Sequence, residues 1–100
     1  MRTVPLEFVA EVAELDRLRE NAFEGLRAAN ARGLTGSDMD AMVTALDEVE
    51  ARCEQLRKRF FPRRHKLVIT CGVAMLVSKT FRSCEIVWQR TPRQRGWGDE

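Results

Sequence analysis

Apolar residues recur along the chain with two periods, and the change between them falls at Pro62. Over Met39, Met42, Leu46, Val49, Cys53, Leu56 and Phe60 the spacing alternates three and four, the heptad seam of a helix that packs along a partner. Upstream, Phe8, Val12, Leu15, Ala22, Leu26 and Ala29 keep the same spacing, interrupted where the seam requires a residue and finds Arg19; Val9, Leu18 and Phe23 widen the stripe. The two seams predict helices over about 5–32 and 37–61. Pro5 suits a first helical position and Gly33 a left-handed cap. Gly33-Leu34-Thr35-Gly36 then reads as a short turn, with Ser37 as the N-cap of the second helix and Asp40 three residues on, close to a capping box. A turn this short makes the helices antiparallel neighbours at a shallow crossing angle.

Beyond Pro62 the pattern belongs to strands. Leu67, Val68, Ile69 and Thr70 are apolar and mostly β-branched, and Cys84, Ile86 and Trp88 alternate with Glu85, Val87 and Gln89. Strands are expected near 66–71, 73–80 and 84–90, with Gly72 as a bulge or bend and Thr80 to Ser83 as a turn. A third helix over Val73 to Phe81 competes, because a continuous apolar run does not separate a buried strand from a buried helix. From Thr91 onward there is no periodicity, and the sequence reads as a flexible basic tail. The expected fold class is α+β: an antiparallel two-helix, coiled-coil-like hairpin (1–61), then a small C-terminal β element of two or three strands (62–90) and the tail (91–100).

Composition supports a folded chain, since 44% hydrophobic residues in 100 is ample for a modest core. Charge adds more. The net charge of +2 conceals six basic and twelve acidic residues up to Leu56, against eleven basic and three acidic from Arg57 on. Opposed halves of −6 and +8 suggest an anionic partner on the basic half, or assembly of copies through unlike halves. Three cysteines, Cys53, Cys71 and Cys84, are too few for a disulfide scaffold, and no apolar leader follows Met1, so a cytoplasmic, intracellular setting is expected. The longest uncharged apolar run, Leu67 to Val77, is too short to span a bilayer. Flanking cations leave surface association with anionic lipid as a minor reading.

The densest charged cluster is Arg57, Lys58, Arg59, Arg63, Arg64 and Lys66, interleaved with Phe60, Phe61 and His65, and Arg93, Arg95 and Trp97 extend the theme in the tail. Clustered cations with aromatic rings suit phosphates and stacked bases, so these residues are the candidate partner or nucleic-acid site. The bland reading is a solvated helix end whose cations suit the negative pole of the helix dipole. Arg19 should lie opposite about Glu50 and form a partly buried ion pair. The helix–helix or dimer seam comprises Phe8, Val12, Leu15, Arg19, Leu26, Met42, Leu46, Val49, Cys53, Leu56 and Phe60.

Chemistry-bearing motifs are scarce. Cys71, Cys84 and His65 would approach a zinc-like set only if the first and third strands paired, and no close Cys pair exists. No serine or cysteine has an adjacent base, the one histidine sits among cations, there is no glycine-rich phosphate loop, and the carboxylates are expected on solvated helix faces. No metal, cofactor or catalytic residue is assigned. The sequence therefore points to a small non-catalytic interaction module, an adaptor, assembly factor or inhibitor of a larger protein, which self-associates through its hairpin. Its size and arginine content suit a phage- or virus-encoded accessory protein, by analogy of composition only. The expected contact is the helical face or the strand edge at Cys84 to Arg90. RNA or DNA binding through 57–66 and the tail is the alternative.

Overall fold

A computed structural model describes residues 3–90; the tail, with Arg93, Arg95 and Trp97, lies outside the described residues. Two helices, α1 (Leu6–Arg32) and α2 (Gly36–Phe60), precede three strands, β1 (Lys66–Thr70), β2 (Val73–Val77) and β3 (Cys84–Gln89). The strands form one antiparallel sheet in the order β1-β2-β3. This is the α+β arrangement expected, and the competing third helix over Val73 to Phe81 is absent: that run is β2 and the loop after it.

The hairpin turn differs from expectation by half a helical turn. Thr35, not Ser37, is the N-cap of α2: its hydroxyl accepts from the Asp38 N–H at 3.2 Å, and the Asp38 carboxylate accepts from the Thr35 N–H at 3.0 Å. Both Thr35/Asp38 and Ser37/Asp40 have capping-box spacing, and the earlier pair starts the helix sooner. Gly33 closes α1 at φ +103. Pro5 stands one place outside the helix, as its N-cap.

β1 and β2 are joined through Cys71 (φ +50) and Gly72 (φ +76), and Thr70 pairs with Val73. Two left-handed residues between paired strands make a type I′ loop, whose twist matches that of the strands. Gly72 is thus a hairpin turn rather than a bulge. The bulge lies instead between β2 and β3, where Ala74 faces Trp88 but Met75 faces Ile86, leaving Val87 as the additional residue.

One face of the sheet lies on the hairpin. Leu67, Ile69, Ala74, Leu76 and Val87 pack against Phe8, Val12, Leu15, Val49, Cys53 and Leu56 in a shared core. Phe8 is 0% exposed and meets Phe60 and Phe61 edge-on at 5.6 and 5.2 Å. Element lengths limit how far this core extends. A 27-residue helix is about 40 Å long, whereas strands of five or six residues are about 17–20 Å. The sheet therefore covers only the half of the hairpin nearest the chain's entry to α1.

Candidate interaction surfaces

The seam has two fates. Phe8, Val12, Leu15, Val49, Cys53 and Leu56 are buried under the sheet, while Ala22, Leu26, Met42 and Leu46, on the same spacing, are only half-buried; beyond Arg19 the small Ala29 is the seam residue that the partner helix alone suffices to bury. Met39 and Val43 are 39% and 48% exposed, and Leu34 at the tip is exposed as well. A shallow depression of about 270 Å³ between Ala22, Leu26, Met42 and Ala45 runs along this uncovered arm. Arg19 marks the border. Its guanidinium lies 4.8 Å over the Phe23 ring, beside a cavity shared with Leu46, Glu50 and Lys66. The expected pair with Glu50 does not form. Arg19 is 4.0 Å from Glu20, and Glu50 faces Lys66 at 3.8 Å because β1 enters beside α2 and brings a second cation to that carboxylate.

The basic cluster is largely engaged. Arg57 is buried: Nε and Nη2 donate to Glu54 at 2.9 and 2.7 Å, and Nη1 donates to the Phe61 and Arg64 carbonyls. It clasps the chain leaving α2, satisfying carbonyls that no helical N–H reaches. The Arg57 guanidinium in turn holds the Glu54 carboxyl below its ordinary range. Arg59 pairs with Glu7 at 2.8 Å, and Arg64 with Glu85 at 3.0 Å. Lys58, Arg63 and His65 are exposed. The opposed charges of the two halves thus fold back on each other, since Glu7, Asp16, Glu20, Glu50 and Glu54 all meet cations from residue 57 onward. Exposed pairs of this kind contribute little each, so Arg59, Arg64 and Lys66 remain exchangeable, whereas Arg57 is structural.

An ion pair between a buried carboxylate and a half-buried arginine escaped the sequence reading. Asp16 is 4% exposed, and its Oδ2 accepts from Arg90 Nε at 2.9 Å and Nη2 at 2.6 Å; Glu20 lies 3.6 Å from the same guanidinium. The Arg90 N–H donates to the Gly72 carbonyl at 2.7 Å, and a Cβ on Gly72 would come within 3.1–3.2 Å of the Arg90 side chain. Gly72 therefore serves both its positive φ and the passage of Arg90 across the hairpin loop to α1. Asp16 and Arg90 line an open cleft of about 660 Å³ with Trp88 and Glu20. The available signal was Asp16's place between Val9 and Phe23, each seven residues away on the stripe flanking the seam. A charge in that row has to find a buried partner, so Asp16 corrects the expectation that the carboxylates are solvated.

The chain matches no family model, no curated protein and no solved structure. Among the described residues, no group of three or more His, Cys, Asp and Glu side chains is placed to hold a metal ion, and no helix is long and apolar enough to cross a membrane. β2 separates β1 from β3, and the register puts Cys71 and Cys84 at opposite ends of the sheet, so the conditional zinc set does not assemble.

Proposed function

We propose that this chain is a small non-catalytic, intracellular interaction module that self-associates through the uncovered arm of its hairpin. The observation supporting this reading is the seam itself, which continues with unchanged spacing past Arg19 but loses its cover there. Two copies laid arm against arm would bury Leu26, Met42, Leu46 and their exposed neighbours in a four-helix arrangement. The arm is about 20 Å long and two helices wide, so it offers on the order of 400–500 Å² per copy, less than the ~800 Å² of a standard interface. Association of that size is weak and concentration-dependent, as befits a module that exchanges its own copy for another protein's helices.

Sedimentation equilibrium over a concentration series tests this. The expected mass rises towards twice the 11.5 kDa of one chain, and Met42→Glu with Val43→Glu holds it at one. A wild-type chain that stays monomeric at the highest attainable concentration overturns the reading.

A further inference from the structure

The connection from β2 to β3 presents a residue that its own fold does not use. Phe81 is 68% exposed and adopts φ +61, in the left-handed region that a bulky side chain disfavours. The surrounding loop is firmly fastened. Ser78 N–H donates to the Ser83 carbonyl at 3.1 Å, and Phe81 N–H donates to the Ser78 carbonyl at 3.0 Å. The Ser78 hydroxyl accepts from both the Arg82 and Ser83 N–H groups, at 3.1 and 3.2 Å. Strain held by a loop with four hydrogen bonds, with the strained side chain in solvent, indicates a side chain aimed outward for a partner.

The neighbourhood identifies that partner's chemistry. Lys79 and Arg82 flank the ring in sequence and are exposed. Lys66 pairs with Val77 in the β1–β2 register and Cys84 with Val77 in the β2–β3 register, so the segment before β1, with exposed Arg63 and His65, leaves the sheet at this same end. The Arg64–Glu85 pair fastens that segment to the start of β3. We infer that the Ser78–Ser83 loop is a stacking platform for single-stranded nucleic acid, with Phe81 under a base and Lys79, Arg82 and Arg63 on neighbouring phosphates.

Two other partners share part of this chemistry and fit less well. A protein hot spot sits within apolar surroundings that exclude water, whereas Phe81 stands among Lys79, Thr80, Arg82 and Ser83. An anionic lipid surface would take the ring and the cations, but fluid acyl chains accept a ring in any direction and give no use for a fixed, strained one. A base has a face, and stacking rewards orientation. The site is independent of the hairpin arm and does not rest on self-association.

The test is fluorescence anisotropy with a labelled oligouridylate of about 12 nucleotides at about 50 mM salt, beside a duplex of equal length and phosphatidylserine vesicles. The expected result is a preference for the single strand, lost about tenfold or more in Phe81→Asn and retained in Phe81→Trp. Asparagine tolerates the left-handed conformation, so Phe81→Asn should also raise the melting temperature, which shows that the loss of binding is not a loss of fold. Lys79→Gln with Arg82→Gln should flatten the dependence of affinity on salt. The inference is overturned if the wild-type chain binds no oligonucleotide, if it binds vesicles or duplex in preference, if Phe81→Asn binds as wild type, or if that variant melts lower.

Discussion

The two halves of the hairpin carry one sequence pattern and live in different surroundings. Below Arg19 the seam is a protein core, with Phe8, Val12 and Leu15 sealed by the sheet; beyond it, the same spacing yields the half-wet Leu26, Met42 and Leu46. A heptad specifies which residues face a partner helix. It does not specify whether a third layer arrives, and here strand length decides that. The seam residue that interrupts the pattern, Arg19, stands where the cover ends, its guanidinium lying over the Phe23 ring as a polar edge to the core.

Truncation of side chains on either side of this border gives the largest contrast. Phe8→Ala should cost about 3–5 kcal/mol and Leu15→Ala about 2–5 kcal/mol in chemical denaturation, because each leaves a closed cavity. Leu26→Ala should cost under about 1 kcal/mol in the monomer, since its surroundings are already open to water. Equal costs on the two sides would abolish the distinction between covered and uncovered seam.

The next effect sharpens what holds the cover on. Arg90→Ala leaves the Asp16 carboxylate stranded and should cost about 2–3 kcal/mol, while Asp16→Leu combined with Arg90→Met should recover most of that loss. A double-mutant cycle showing no coupling between these positions would mean that the pair does not lock the sheet to α1.

At the far end of the uncovered arm, Thr35→Ala should lower stability by about 1 kcal/mol through loss of the cap. The Thr35 N–H and hydroxyl hold the Asp38 carboxyl below its ordinary range. A carboxylate with a depressed folded pKa stabilises the fold above its unfolded pKa, and that contribution is lost as pH falls through the folded value. Acid titration followed by nuclear magnetic resonance should therefore show the turn around Thr35 responding at a pH below that of an ordinary aspartate, and a normal titration there would contradict the cap.

The smallest effect is chemical rather than energetic. Burial pushes the Cys53 thiol up to about 11, whereas Cys71 and Cys84 are exposed. At pH 8 a thiol-specific reagent should modify two sites in the native chain and the third only on unfolding. Met42→Cys adds a fast-reacting site on the open arm, and protection of that site at high concentration would report the paired state.

Much of the fold was legible because its signals are local. The α2 seam, the break at Pro62 and the strand at Cys84 to Gln89 each lie within a few residues of themselves, but the alternation in that strand pointed to the wrong face: the bulge beside Trp88 leaves Val87 in the core while Cys84 and Ile86 are exposed. The features that were missed are of two kinds. Some were local ties, such as Thr35 against Ser37, two caps with equal spacing. Others depend on elements that meet only after folding: Arg19 was matched to Glu50 without Lys66, which arrives from β1, and Asp16 was assigned to solvent because its partner is 74 positions away. Among the candidate cations, Arg57 proved structural for a similar reason, since the carbonyls it serves become neighbours only when the chain turns after α2.

The Asp16–Arg90 pair also bears on how the molecule is made. On the ribosome the hairpin emerges first and can form while the strands are still unmade, yet its first helix then carries a carboxylate whose cation has not been synthesised. With the sheet off, Asp16 stays hydrated, and its carboxylate meets its cation only when β3 docks and brings Arg90 to α1. Docking of the last strand is thus the step that brings a cation to the buried carboxylate and lays an arginine across the first strand turn.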